Sequence, residues 1–387
     1  MKYRILGRTG LSVSEIGMGG EWLERHDAAE CKAVLDACRE EGINLLDCWM
    51  PSPGVRDRIG AALEGCRQDW YIQGHIGSTW QKGQYVRSRN VINGRAAFED
   101  LLRRLRTDYI DLGMIHYVDK DSEWDRIVGA SGEGSPYLDY VRQLKAQGKI
   151  RHIGLSTHNP LIALKAAESG LVEMILFSIN PAFDMMPPTD DIDHYFAEHY
   201  DPHLQGRIAP ERTALYNRCE QLGVGLTVMK PYAGGRLFSA EASPFGVALT
   251  PVQCLHYALT RPAVASVLAG YDTPGQVREA VAYETASEAE KDYASVLARA
   301  PMHAFEGQCT YCGHCAPCPQ MIDIAMVNKF LDLALMQTQL PESLREHYRA
   351  LEHHASACVA CHGCESRCPF RVKVAERMRQ AAEMFGK

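Results

Sequence analysis

The sequence predicts an α/β protein: a (β/α)8 TIM barrel with an N-terminal hairpin, followed by a small C-terminal α-helical domain. Three observations predict it. Eight short apolar runs recur along residues 1–300, amphipathic stretches of helical spacing separate them, and beyond residue 300 eight of the 14 cysteines gather. Strands alternating with helices imply parallel pairing through helical crossovers. Eight such units over this length suggest a closed barrel. A doubly wound sheet is the competing architecture, but Gly17-Met18-Gly19-Gly20 neither opens a helix nor has the spacing of a dinucleotide-binding turn.

The elements follow in order. Gly7-Arg8-Thr9-Gly10, between Arg4–Leu6 and Leu11–Val13, predicts a short hairpin closing the bottom of the barrel. The strands are expected at Ile16–Met18, Ile43–Asp47, Trp70–His75, Ile110–His116, His152–Ser156, Met174–Ile179, Val224–Met229 and Val264–Leu268. Ala28–Glu41, Arg95–Arg106, Tyr137–Gln147 and Pro251–Thr260 show helical periodicity. Two long connections, Tyr117–Pro136 and Pro181–Pro210, follow strand C-terminal ends, where barrel active sites lie, and read as lids. Residues 301–387 form the second domain, with helices expected over Met321–Leu335, Glu342–His354 and Val372–Phe385.

Of the 387 residues 46% are hydrophobic and 23% charged, the balance of a soluble globular protein. A net charge of −7 leaves no basic footprint for nucleic acid, and no apolar run approaches a membrane span. The start, Met1-Lys2-Tyr3-Arg4, leads into a polar turn and does not read as a signal peptide. With six further cysteines scattered through the barrel, a reducing cytoplasm is the expected setting.

The C-terminal cysteines form two runs. Cys309, Cys312, Cys315 and Cys318 precede Pro319; Cys358, Cys361, Cys364 and Cys368 precede Pro369. The second run has the spacing of a bacterial ferredoxin motif, and the first is one residue short before its last cysteine. In that motif three thiolates come from a tight local turn and the fourth, beside proline, reaches the other cluster. The expectation is two [4Fe-4S] clusters, one on Cys309, Cys312, Cys315 and Cys368, the other on Cys318, Cys358, Cys361 and Cys364. Zinc knuckles and a disulfide framework compete. Zinc sites usually pair C-x2-C units across a longer loop, and disulfides need an oxidising compartment.

The barrel resembles the aldo-keto reductase family. Gly42–Asp47, Asp108–Leu112 with Ile115-His116, Gly148–Ser156, Lys230–Leu237 and Ala263–Gly270 carry the likeness. The whole chain resembles the subgroup with a C-terminal two-cluster [4Fe-4S] ferredoxin-type domain. The resemblance implies a small carbonyl or alcohol substrate and NAD(P)H. The family also implies a catalytic aspartate, tyrosine, lysine and histidine. Asp47 falls at the aspartate position and His116 at the histidine position. Ser52 stands where tyrosine is expected, and His75 where lysine is expected. Asp47, His75 and His116 are therefore the catalytic candidates, with His75 able to titrate near neutrality. Leu176 and Met229 replace residues that hold nicotinamide; Ser156 and Asn159 remain candidates for its carboxamide, and the Gly270–Gln276 turn for a phosphate. The expected protein is an oxidoreductase whose clusters exchange electrons with ferredoxin or another carrier. A catalytically degenerate barrel serving redox sensing or binding is an alternative. Another is a non-redox acid/base enzyme with structural clusters.

Overall fold

The computed structural model describes residues 1–129, 134–196, 206–300, 304–337 and 339–387. Parts of both predicted lids, including His199 and Tyr200, lie outside these residues, as do residues 301–303, which follow the predicted domain boundary.

Eight parallel strands close into a barrel: β1 (Ile16–Gly19), β2 (Leu45–Cys48), β3 (Tyr71–Ile76), β4 (Ile110–Ile115), β5 (Ile150–Thr157), β6 (Met174–Ser178), β7 (Gly225–Met229) and β8 (Val264–Ala269). Each strand neighbours the next in sequence, and β8 closes on β1 through Val267↔Ile16. Eight main helices surround them: Ala28–Glu40, Pro53–Ala62, Val91–Arg104, Pro136–Ala146, Pro160–Glu168, Pro210–Leu222, Pro251–Leu259 and Pro274–Val281. Six of these begin with proline, whose fixed φ suits the first helical turn and whose missing N–H costs nothing there. Asp27 with Glu30 and Thr250 with Gln253 add reciprocal caps.

The hairpin Tyr3–Ile5/Ser12–Ser14 closes the N-terminal end. Its Leu6 and Val13 pack with Leu45, Leu112, Met114, Met174 and Leu268 to fill the barrel interior. Gly7 is required there: φ is +48°, and a Cβ would lie 2.3 Å from the Gly225 amide nitrogen. With the bottom plugged, inward side chains can meet a ligand only at the C-terminal mouth. A second hairpin, Ser78–Gln81/Gln84–Arg87, follows β3 across a two-residue Lys82-Gly83 turn in which both residues have positive φ.

In the C-terminal region, helices Ile324–Leu335, Glu342–Arg349 and Val374–Phe385 pack together, with the Tyr348 ring stacked on Phe385 at 4.0 Å. The region is joined to the barrel: Arg261 Nη2 donates to the Thr310 carbonyl at 2.5 Å, and Lys329 pairs with Glu220 at 2.6 Å.

Candidate active site and cysteine centres

Side chains alternate across a strand, so Leu45 and Asp47, Gln73 and His75, and Leu112, Met114 and His116 share the inward faces of three adjacent strands. The lower members are core; the upper ones meet at the mouth. His75 Nε2 lies 2.9 Å from Asp47 Oδ1, and its Nδ1 lies 2.7 Å from His116 Nδ1. Gln73 Nε2 donates to the same Asp47 oxygen at 2.9 Å, while Thr227 on β7 donates to Gln73 Oε1 at 2.9 Å. The three sequence candidates are thus brought into direct contact.

A fourth group completes the row. Tyr85 Oη, on the hairpin after β3, lies 2.8 Å from His116 Nε2. Trp49 stacks on the His116 ring at 5.9 Å and meets Tyr85 edge-on at 5.4 Å. The hairpin is latched over the mouth by Ser78 Oγ, which donates to the Trp49 carbonyl at 2.6 Å, and by Arg87, which donates to the Tyr117 carbonyl at 3.0 Å. Arg89 holds the His116 carbonyl at 2.6 Å. Burial drives His116 well below the ordinary imidazole range, and His75, Arg89 and Arg87 push the same way, so it is neutral near neutrality. Burial raises the Tyr85 phenol, with Arg87 and Arg89 opposing and Glu123 assisting.

These groups open on a cavity of about 810 Å³ running from Asp47 to the loop after β8. Ser156 lines it and accepts the Tyr117 amide at 2.8 Å. Asn159 is placed elsewhere: it caps the helix Pro160–Glu168 and donates to the Asp119 carbonyl. His158 lines the cavity with Nδ1 2.9 Å from Asp119 Oδ2. Burial would raise Asp119, but the His158 imidazole and hydrogen bonds from His158 and Thr157 hold it low.

The far end suits a dinucleotide poorly. A Cβ on Gly270 would lie 1.7 Å from Trp22, so the indole already covers that backbone. Thr273 caps the following helix, and Gln276 Oε1 accepts the Asp272 amide at 2.7 Å. Glu21, Glu24, Asp272 and Glu279 line this end with Arg25 and Lys230, and Arg25 is stacked on Trp22 at 3.7 Å. Phosphates would meet more carboxylates than cations.

In the C-terminal region, two small cavities of about 20 Å³ each are lined by cysteines. One has Cys309, Cys312, Cys315 and Cys368; the other has Cys318, Cys358, Cys361 and Cys364. Each set takes three thiols from one run and the proline-flanked thiol from the other. Four convergent thiols are the donor set an iron–sulfur cluster needs.

Residues 15–248 match the aldo/keto reductase family, and residues 308–373 match a 4Fe-4S dicluster domain. The chain belongs to the aldo/keto reductase family and carries an iron–sulfur domain at its C-terminal end. Among curated relatives, an uncharacterized oxidoreductase, YqkF, of Bacillus subtilis is 26% identical over 72% of this chain and 90% of its own length. Methylglyoxal reductase YeaE of Escherichia coli is 30% identical over 38% of this chain and 46% of its own. The solved aldo-keto reductase AKR11C1 of Bacillus halodurans (holo form) superposes with a TM-score of 0.59 at 24% identity, covering 79% of this chain and 98% of that one, which supports the fold. Among the described residues no helix is long and apolar enough to cross a membrane.

Tyr85 and Gln73 were not among the sequence candidates. Gln73 could have been found by its two-residue spacing from His75. Tyr85 had a weaker signal: strand-forming Thr79-Trp80 and Tyr85-Val86 flank the Lys82-Gly83 turn.

Proposed function

We propose that the protein interconverts a small organic carbonyl and its alcohol at the barrel mouth, with electrons exchanged through two [4Fe-4S] clusters rather than a bound dinucleotide. The two separate four-cysteine cavities carry this reading. Clusters held there would supply single electrons, two per turnover, from a reduced low-potential carrier of the ferredoxin class. Cys309, Cys312, Cys315 and Cys368 would hold one, and Cys318, Cys358, Cys361 and Cys364 the other. The hydrogen-bonded set Asp47, His75 and His116 at the mouth manages the proton of the substrate oxygen. Aromatic walls from Trp49, Tyr117 and Phe238 exclude water from the reacting carbonyl.

The test is anaerobic. Purified holoprotein is given reduced methyl viologen and a panel of small carbonyls that includes methylglyoxal. Consumption of viologen with formation of alcohol, and little or no turnover when NADPH replaces viologen, is expected. NADPH-driven reduction at a rate matching viologen would overturn the electron route. Absence of turnover with either donor, on protein with full iron and sulfide, would overturn the reading as an oxidoreductase.

A further inference from the structure

Single electrons differ from a hydride in one respect that matters here. A hydride brings hydrogen with its electron pair. Electrons arriving singly bring none, so both hydrogens of the alcohol must come as protons. The chain of contacts from Asp47 outward is built to move one of them.

The hydrogen positions follow from the partners. Ionised Asp47 can only accept, so His75 Nε2–H donates to it. A neutral His75 must then accept at Nδ1, from His116 Nδ1–H. His116 Nε2 is left as an acceptor, for the Tyr85 hydroxyl. All three hydrogens run inward from the cavity. One added proton on His75 reverses the outer two. His75 Nδ1–H then donates to His116 Nδ1, His116 Nε2–H donates to Tyr85 Oη, and the phenol hydrogen is free to face the cavity. All four line the cavity, but Tyr85 is 36% exposed while Asp47, His75 and His116 are 5% or less, so Tyr85 is the member open to solvent.

We infer that Asp47, His75, His116 and Tyr85 form a proton relay, and that Tyr85 is the catalytic acid that gives the substrate oxygen its proton. The inference rests on the electron route proposed above. In the step, the Tyr85 O–H bond breaks as the substrate O–H bond forms. The phenolate takes the His116 Nε2 proton, and His116 Nδ1 takes the one on His75 Nδ1. The carrier's two electrons reduce the carbonyl, and the second proton, which ends on carbon, comes from bulk water. Tyr85 thereby supplies a phenol from the loop after β3 where position 52 holds serine. Asp47 and Gln73 are positioning residues in this scheme.

Two measurements test it. With methylglyoxal and reduced viologen, Tyr85→Phe should lose about 100-fold or more in turnover, the scale of a general acid. A 3-fluorotyrosine at position 85, a more acidic phenol, should restore activity with its alkaline limb moved to lower pH. Arg87, Arg89 and Glu123 face this phenol and are unchanged in both variants. The second measurement needs no turnover: fluorine NMR of the fluorotyrosine protein. Asp47→Asn does not touch Tyr85, yet through the relay it should move the fluorine resonance and its titration. Failure of Tyr85→Phe to slow turnover by more than about threefold overturns the acid assignment. A fluorine titration indifferent to Asp47→Asn overturns the relay. Should wild-type protein turn over none of the probes, the electron route falls, and the fluorine experiment alone decides whether the four groups are coupled.

Discussion

Asp184 offers the sharpest test of how the barrel is braced behind its active site. Its carboxylate is fully buried and accepts from Arg212 Nη1 at 3.2 Å, Tyr216 Oη at 2.5 Å and Tyr257 Oη at 2.7 Å. Arg212 is equally buried and also donates to the Ser178 carbonyl and to Tyr195, whose hydroxyl reaches the His158 carbonyl at 3.2 Å. Asp184→Asn keeps an acceptor oxygen but strands the Arg212 charge. Breaking one side of a buried pair costs about 3–5 kcal/mol, and the retained Ser178 and Tyr195 bonds place this case near ~3. Asp184→Leu also strips two phenols of their partner, at ~1–3 kcal/mol each, for a total of ~5 or more. That is comparable with the whole stability of an ordinary domain, ~5–15 kcal/mol. Anaerobic urea unfolding, followed by tryptophan fluorescence, measures both. The Asn variant should unfold at clearly lower urea with an unchanged slope, and the Leu variant should accumulate poorly. A loss below about 1 kcal/mol in Asp184→Asn would show that the charge is not needed and refute the reasoning.

Further outcomes follow from the same structure. Burial alone would raise Glu173, but His152, Lys145 and the Ile153 amide hold it down to about 2. A carboxylate with its folded pKa below the unfolded one stabilises at neutral pH, and that contribution fades as pH falls from about 4.5 through about 2. Glu173→Gln should therefore cost ~1–2 kcal/mol at neutral pH, after allowance for its partial exposure, and almost nothing in strong acid; equal losses at both ends would exclude the linkage. Cys368→Ala should damage the cluster of Cys309, Cys312 and Cys315, and Cys318→Ala the other, each leaving one electron paramagnetic resonance signal intact; the opposite pattern would mean uncrossed ligation. Arg261 is a buried cation bonded to the Thr310 carbonyl inside the first cysteine turn, so Arg261→Met should lower that cluster's potential and spare the second. Equal shifts in an anaerobic redox titration would contradict this.

The barrel was legible because its signal is repeated. Eight apolar runs set the strand count, and the structure moves their ends by one or two residues. For example, β5 begins at Ile150 rather than His152 because Ile150 pairs with Ile110 of β4. Asp47, His75 and His116 were legible for a related reason: each ends a strand, and strand ends converge at the mouth. Tyr85 was not. It reaches His116 only because a short hairpin folds back over the mouth, and its two strands, in which Val86 is the one aliphatic residue, show little of the alternation that marks a half-buried sheet. Asn159 shows the reverse. At a strand end it reads as a ligand, yet the next residue is Pro160, which starts a helix, and the asparagine is taken up as that helix's cap. The cysteines that line each small cavity group as the spacing predicts, three from one run beside the proline-flanked thiol of the other.

The two halves of the molecule share buried polar structure, and this bears on why the C-terminal domain is attached where it is. From the first cysteine turn, the Thr310 carbonyl accepts Arg261. The Arg261 guanidinium lies over the Tyr257 ring at 4.4 Å, and Tyr257 donates to Asp184. Asp184 pairs with Arg212, Arg212 donates to Tyr195, and Tyr195 reaches the backbone of His158 at the cavity wall. Each member is buried, so none can be solvated if its neighbour leaves, and each contact fixes the next. A domain held only for convenience would dock through exchangeable surface side chains. Here the first cysteine turn and the cavity wall are the two ends of one chain of buried contacts through the barrel's own helices.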